Sequence, residues 1–335
     1  MLYTHKYYEG SLQNTRILVT GGAGFIGSNI VRYLMHHSIG KLVVLDNLST
    51  GCLNNIKPFL DHPNFEFIQG DIRDIEVCTN AMRNIDLVCH QAALGSVPRS
   101  INDPATTNEV NILGHLNILI AAKESNISRV VYAASSSTYG DSQKLPKVEH
   151  EIGKPLSPYA ITKYVNELYA DVFQRIYGLN TIGLRYFNVF GPFQNPNGAY
   201  AAVIPKFIQS IIDNQTPVIN GDGSQTRDFT FVGNAVQANI RALFTNKEEA
   251  LNQVYNIAFG ERTSLKELYF ILLKFANKDL PPEFGPNRIG DIWDSLADIG
   301  KARKLLNYDP AYNVSAGLEQ TFAWFSENQD YKFES

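Results

Sequence analysis

Arg16-Ile-Leu-Val-Thr20-Gly21-Gly22-Ala23-Gly24-Phe25-Ile26-Gly27 decides how this chain is read. Its first five residues are a short apolar, β-branched run, after which Ile26, Ile30, Tyr33 and Leu34 recur at helical spacing up to about His37. The stretch therefore predicts strand, turn and helix. Gly21 permits the tight turn, Gly24 lets the backbone approach a pyrophosphate, and Gly27 allows close packing of helix on strand. The first N–H groups of a helix lack partners within it, so this helix start favours anionic phosphates. Asp46 closes the next apolar run, Lys41 to Asp46, about 20 residues further on. A carboxylate there accepts hydrogen bonds from an adenine ribose and repels a 2′-phosphate. The expectation is dinucleotide binding, with NAD preferred over NADP.

The alternation continues outward from that unit. Strands are predicted at Phe65 to Ile68, Asp86 to His90, Arg129 to Ser135 and Thr181 to Phe187, and helices at about Val110 to Glu124 and Pro158 to Tyr177. Repeated strand and helix predict an α/β fold with a parallel, doubly wound Rossmann sheet covered on both faces. After Phe187, Gly191-Pro192 and Asn195-Pro196-Asn197-Gly198 mark a long loop and the start of a smaller lobe. A helix near Asn234 to Phe244 and a strand at Gln253 to Ile257 are expected to return to the sheet. The expected division is thus residues 1–188 with 234–257 for the cofactor, and a discontinuous lobe of 189–233 and 258–335 for substrate.

Composition narrows the function classes. The 335 residues are 44% hydrophobic and 19% charged, enough apolar surface for a sizeable core, which excludes a disordered or collagen-like chain. Lys+Arg of 29 against Asp+Glu of 33 gives a net charge of −4, so no overall positive field exists to hold nucleic acid. Cys52, Cys78 and Cys89 are an odd number at wide spacings and form neither a disulfide framework nor a metal pair. No metal is expected. With no uninterrupted apolar stretch of about 18 residues and no signal-peptide run in Met1 to Gly10, the protein is expected in the cytoplasm and not in a membrane.

A chemical pattern follows the fifth strand. Tyr159 and Lys163 stand four residues apart, on one face of a helix that Ser157 caps and Pro158 begins. With 17 tyrosines in the chain the spacing alone carries little, but the pair follows Ser135-Ser136-Ser137 at the C-terminal end of a strand. Ligands collect at that end in open α/β sheets. A phenol with a pKa near 10 is a poor base at neutral pH, and a neighbouring ammonium together with a cationic nicotinamide lowers it. The phenolate can then take a hydroxyl proton while the serine positions it. No G-x-S-x-G elbow, H-E-x-x-H pair or Walker lysine loop competes with this reading.

Together the Gly21/Gly24/Gly27 turn, Asp46, Ser135 and Tyr159/Lys163 resemble the extended short-chain dehydrogenase/reductase family over about Thr15 to Trp324. Leu94-Gly-Ser-Val-Pro-Arg99, Arg185-Tyr-Phe-Asn-Val-Phe-Gly-Pro192, Asp222-Gly-Ser-Gln-Thr-Arg-Asp-Phe229 and Arg288-Ile-Gly-Asp291 resemble nucleotide-sugar 4-epimerases within it. The nearest resemblance is to bacterial UDP-N-acetylglucosamine 4-epimerases that feed surface-polysaccharide synthesis. It implies a homodimer with bound NAD, catalytic Ser135, Tyr159 and Lys163, and cofactor contacts from Gly21, Gly24, Phe25, Ile26, Gly27, Asp46, Asn47, Ser49, Thr50 and Gly51. Further cofactor contacts are implied at Asp71, Ile72, Gln91, Ala92, Ala93, Asn108 and Phe187. Gly95, Ser96, Ser136, Ser137 and Tyr159 are implied around the sugar. Asn188, Gln194, Ala202, Val203, Val218, Asn220, Arg227, Arg288, Asp291 and Ser295 are implied around the rest of the UDP-sugar. Two arginines near a diphosphate make chemical sense in a chain of net charge −4.

The implied reaction begins when Tyr159 removes the 4-hydroxyl proton and C4 gives hydride to NAD⁺. The 4-keto sugar then turns over, and hydride returns to its other face. Small residues at Gly95, Ala202 and Ser295, the last aligning with a site whose tyrosine accompanies restriction to plain sugars, favour N-acetylated substrates. UDP-glucose and UDP-glucuronate stay open as alternatives, the latter because Arg99 or Arg185 is available in the sequence to meet a carboxylate. A 4,6-dehydratase is disfavoured, since Ser136-Ser137 stand where that chemistry uses an Asp-Glu pair. A non-catalytic nucleotide-binding protein is disfavoured by the presence of both Tyr159 and Lys163.

Overall fold

Alternate residues of a strand face opposite sides of a sheet, and the apolar runs of this chain are continuous, so both faces need cover. The computed structural model describes residues 2–197, 201–286 and 294–333. Among them β1 (Arg16–Thr20), β2 (Lys41–Asp46), β3 (Phe65–Gln69), β4 (Leu87–His90), β5 (Arg129–Ser135), β6 (Thr181–Tyr186) and a last strand, Gln253–Ile257, form one sheet. Its order is last strand, β6, β5, β4, β1, β2, β3, and every pairing is parallel. Ile17, Val19, Leu42, Val44, Cys89 and Val131 enter one core cluster, and Leu18, Val43, Leu45, Val88 and Val130 enter the other. That split is the two-residue period made visible.

Helices seal the two faces. On the first lie α1 (Phe25–His36), with Ile30, Val31, Tyr33 and Leu34 buried, and the later helix Val232–Phe244. On the second lie α2 (Ile75–Ala81), then, past α3 (Val97–Asn102) and α4 (Pro104–Asn108), α5 (Gly114–Glu124) and α6 (Pro158–Tyr177). The helix expected from Val110 to Glu124 begins instead with one π-helical turn, Glu109–Leu113, between α4 and α5. Ser157 caps α6, its hydroxyl accepting from Ala160 N at 3.1 Å, and Gly178 ends it in the left-handed conformation.

A third cluster gathers residues that the strand and helix alternation did not assign. It holds Ile204, Phe207, Ile208 and Ile211 of α7 (Val203–Ile212), then, after α8 (Val232–Phe244), Leu268, Leu272 and Leu273 of α9 (Leu265–Ala276). Beyond α10 (Gly300–Leu306), α11 (Val314–Glu327) adds Val314, Leu318 and Phe325. The helix near Asn234 and the strand at Gln253 return to the sheet as expected, the strand pairing with β6 from Gln253 opposite Ile182 to Ile257 opposite Tyr186. The aromatic arm before Thr15 packs on its own chain. Tyr7 stacks on Tyr33 of α1 at 5.6 Å, and its N–H donates to the Tyr33 hydroxyl at 2.9 Å.

Candidate active site

The strand order reverses between β1 and β4, and in an open parallel sheet a crevice opens at that point. Thr20 ties its two walls together, its hydroxyl lying 2.7 Å from His90 Nδ1 and accepting from Ala92 N at 3.3 Å. The three glycines of the turn are required for different reasons. At Gly21, with φ of +68°, a Cβ would stand 2.6 Å from Ala92 N, and at Gly27 it would stand 2.1 Å from the Gly21 carbonyl oxygen. Protein backbone fills both spaces. At Gly24 a Cβ would meet only the Gly21 oxygen, at 3.1 Å, so the open side of this residue faces away from the protein's own atoms. Gly24 also precedes α1, whose start carries no side-chain cap and no acidic residue. Unpartnered N–H groups beside a bare glycine suit a pyrophosphate, and the turn therefore fits NAD.

Asp46 lies at the C-terminal end of β2 and is only 8% exposed. Its carboxylate accepts from Ala23 N at 3.0 Å and Leu48 N at 2.8 Å, and a carboxylate has acceptor capacity beyond these for a ribose. Burial raises its pKa, against the N–H groups of Leu48, Ala23 and Gly24 that pull it down. Gly51 is small for a reason, since a Cβ there would lie 2.9 Å from Asp46 Oδ1. Asn47, Ser49 and Thr50 form the exposed turn between them, where Asn47 donates to Asp71 at 2.8 Å. A hydrogen bond from Arg73 holds Asp71 down at about 2, and Ile72 beside it is buried against α5.

The three residues expected to be catalytic come from β5 and α6. Ser135 ends β5, is 8% exposed, and accepts from Ser137 N at 3.1 Å and Ser137 Oγ at 2.9 Å, so its own hydrogen remains to be given. Tyr159 lies in the first turn of α6, where burial raises its pKa and a hydrogen bond with Ser135 opposes the rise. One turn on, Lys163 is 3% exposed and donates to Ala133 O at 2.8 Å. An ammonium has three hydrogens, and two are left to donate to a ligand. Burial brings Lys163 down to about 8, with Glu167 opposing.

That value carries a pH prediction. A cation whose folded pKa lies near 8, below its unfolded value of about 10.4, releases its proton earlier in the folded protein. Stability therefore rises with pH across that window, whereas the ammonium beside Tyr159 is lost. Turnover is expected to fall above about pH 8 while the melting temperature of NAD-free protein gains a rising component that Lys163→Met lacks. Turnover constant from pH 7 to 10 contradicts the role given to the ammonium.

Asn108 and Phe187, both expected at the cofactor, have different surroundings. Asn108 is exposed at the end of α4, and the π turn brings Asn111 inward instead. Asn111 is 1% exposed, accepts from Leu94 N at 2.8 Å and donates to Leu94 O at 3.0 Å and Thr162 Oγ1 at 3.1 Å. It thereby sets the Leu94-Gly95-Ser96 loop against α6. Phe187, directly after β6, is 1% exposed and its ring packs on Tyr139. Gln91, between Ala92–Ala93 and β4, has its amide bonded to Asn239 at 3.0 Å and Tyr186 at 3.1 Å.

Ser136 and Ser137 lie half-buried in the 3-10 turn after Ser135, while Gly95 is exposed with open space where a Cβ would stand. Ser96 has an uncommon φ of +91° and caps α3. Asn188, also left-handed at φ +37°, donates to Asp228 O at 3.1 Å, and Gln194 donates to Val189 O at 3.2 Å. Ala202 and Val203 begin α7, Val218 and Asn220 bound an exposed short strand, and Arg227 donates to Thr226 O at 2.9 Å. Ser295 is placed beside that segment, its N–H donating to Thr226 O at 3.2 Å. Arg288 and Asp291 lie outside the described residues.

Two buried charged side chains organise the surroundings of these residues. Asp228, fully buried, accepts from Phe259, Gly260 and Ala297 N–H groups at 3.1–3.2 Å and so joins the Gln225–Phe229 segment to the two loops beside it. Arg185, open as a partner for a uronic carboxylate, is instead 3% exposed and bonded twice to Glu167, at 2.8 and 2.7 Å. Its third contact, Glu149 O at 3.0 Å, completes the fork. Among the described residues no cluster of His, Cys, Asp and Glu is arranged to hold a metal, and no helix is long and apolar enough to cross a membrane.

A glycine turn at the switch point, a carboxylate at the end of β2 and a tyrosine–lysine pair beside a strand-end serine define an α/β enzyme that works on a dinucleotide. Residues 17–258 match the NAD dependent epimerase/dehydratase family. The chain belongs to that family, and NAD is its cofactor. A putative UDP-glucose 4-epimerase of Methanocaldococcus jannaschii is 38% identical over 314 residues, 93% of this chain and 99% of that protein. The structure of a UDP-N-acetylglucosamine 4-epimerase from Methanobrevibacter ruminantium, in complex with UDP-N-acetylmuramic acid, superposes with a TM-score of 0.88 at 39% identity, covering 93% of this chain and 98% of that one. UDP-glucose 4-epimerase from Thermotoga maritima, solved with UDP-glucose, gives 0.88 at 34% identity, covering 94% and 100%.

Proposed function

We propose that this enzyme, a UDP-sugar 4-epimerase, interconverts UDP-N-acetylglucosamine and UDP-N-acetylgalactosamine. Bound NAD supplies a hydride acceptor that is also the donor, so no net redox change accompanies turnover. The chain's own residues move the proton and hold the partners. Tyr159 takes the proton from the 4-hydroxyl and gives it back, and Ser135 donates its free hydrogen toward the phenolate or the sugar oxygen. Lys163 steadies the phenolate's charge from within its buried site and holds the ribose. Asn188 and Arg227, with Arg288 and Asp291, are assigned to the UDP, which leaves the sugar free to turn.

The observation that carries the substrate choice is the small side chain of Ser295 beside Thr226, together with the open space at Gly95. An acetamido group at C2 needs room that a bulky wall denies. The Methanobrevibacter protein, named for UDP-N-acetylglucosamine and solved with an N-acetylated ligand, supports that choice. The names of the Methanocaldococcus and Thermotoga proteins favour UDP-glucose as the second reading. UDP-glucuronate loses the support of Arg185, which Glu167 occupies. Ser295→Tyr is expected to cut kcat/KM on UDP-N-acetylglucosamine at least ten-fold more than on UDP-glucose, the order of a pocket-volume effect. Equal losses on the two sugars, measured side by side, contradict the proposed selectivity.

We further infer a homodimer in the cytoplasm. The apolar residues Ile101, Leu113, Ile161 and Leu168 stand exposed on neighbouring helices around α6, a patch suited to a second copy. The three cysteines are buried and unpaired, which accords with a reducing compartment.

A further inference from the structure

The middle residue of the glycine turn, Ala23, is clamped on both sides of its backbone. Asp46 takes its N–H at 3.0 Å. Its carbonyl oxygen accepts from Cys52 N at 3.0 Å and from Asn55 Nδ2 at 2.8 Å. Asn55 is 2% exposed, and its own carbonyl accepts from Arg32 at 2.8 Å. The remaining atom of its amide, Oδ1, accepts a hydrogen bond from the hydroxyl of Tyr331 at 2.7 Å. Tyr331 follows α11, in a stretch that crosses the loop after β2. There Lys332 O accepts from Asn54 Nδ2 at 2.9 Å and Cys52 Sγ at 3.3 Å.

This stretch is held in place by its own packing. The Tyr331 ring meets Trp324 of α11 at 5.3 Å, Phe333 at 5.1 Å and Phe193 at 5.8 Å, and the Arg32 guanidinium lies 3.9 Å over Phe193. Phe193 directly follows the Gly191-Pro192 loop. One aromatic box therefore joins α11, that loop, α1 and, through one hydroxyl, the turn that fits the pyrophosphate. An amide oxygen buried without a partner is costly, so removing the hydroxyl lets the Asn55 amide turn away and takes from the Ala23 carbonyl one of its two hydrogen bonds.

We propose that Tyr331 is a positioning residue that acts through Asn55 to hold the glycine turn in its NAD-binding shape, and so sets how long NAD stays bound. The proposal rests on the assignment of residues 21–27 to the cofactor and not on the choice of sugar. On this proposal NAD leaves when the stretch Gln329–Phe333 lifts from the Cys52–Asn55 loop. The substrate-side helix α11 and the cofactor turn then share one strap.

The test is the exchange of bound NAD for isotopically labelled NAD⁺ in the whole enzyme, followed by mass spectrometry. Tyr331→Phe keeps the ring box and removes one hydrogen bond, which predicts exchange about five-fold faster, the order of one neutral hydrogen bond. Asn54→Ala, at a partly exposed position, loosens the same stretch from its other side and is expected to speed exchange about two-fold. Both are expected to keep the kcat of the wild type when NAD is saturating, and the melting temperature within about 2 °C. Exchange unchanged in both variants, or faster only in step with a lower melting temperature, overturns the proposal. Gly24→Val separates the two readings: if it keeps NAD, the assignment of the turn fails, whereas if it loses NAD and Tyr331→Phe exchanges NAD no faster than the wild type, only the strap fails.

Discussion

Tyr159→Phe is expected to lower epimerisation by about 10³-fold or more while the purified variant still carries NAD. The size follows from what is removed: general acid–base catalysis by a placed side chain is worth about 10² to 10⁴, and among the described residues no second one stands ready to replace it. Ser135 gives its hydrogen but is no base at neutral pH, and burial takes the other titratable groups nearby out of use. His90 is 4% exposed with its pKa well below the ordinary range, and His115, fully buried, falls to about 3, in both cases through burial first. The ring of phenylalanine fills the same space, so the fold and the cofactor stay. Rate and bound NAD measured on the same sample decide the matter. A variant that turns over within ten-fold of wild type removes Tyr159 from the chemistry.

The second large effect is expected at Gly27. A methyl group there would come within 2.1 Å of the Gly21 carbonyl oxygen and 2.8 Å of Gly22 Cα, both backbone, so α1 must lift from the turn. Overpacking of this kind costs about 1–3 kcal/mol or more. Gly27→Ala should therefore lose stability and emerge from purification without NAD. Gly24→Ala makes the instructive contrast, since its methyl meets one protein atom at 3.1 Å. It should stay near wild-type stability and still lose affinity for NAD, because what it fills is space for the ligand. Gly27→Ala that melts with the wild type and keeps its cofactor contradicts the close approach on which the site is built.

Physical range along the chain explains what the sequence discloses. The sheet is legible because each strand carries its own apolar run and each turn its own glycines, and these are local. Ser135, Tyr159 and Lys163 are legible as a group because one strand end and one helix start bring them together. The π turn is not, since an extra residue in a helix leaves no mark on composition, and within that turn it is Asn111 that points inward to Leu94. α7 carries helical periodicity in Ile204, Phe207, Ile208 and Ile211, yet it lies beyond the alternation that guided the reading. α2 has seven residues, too few for a period, and only its cap at Asp74 announces it. Arg185 looks free until Glu167, on another element, is seen to occupy it. The bond between Tyr331 and Asn55 spans 276 positions, a distance over which no spacing rule applies.

The central claim is that this chain, holding its own NAD, inverts C4 of a UDP-sugar. Its most direct test is to incubate the purified protein, with no cofactor added, with UDP-N-acetylglucosamine and separately with UDP-glucose, and to follow the C4 epimers by NMR. The account predicts that UDP-N-acetylgalactosamine accumulates, faster than UDP-galactose forms from UDP-glucose, and that no NADH builds up. If neither sugar is epimerised even when NAD is supplied, the fold and cofactor turn stand and the assigned reaction is contradicted.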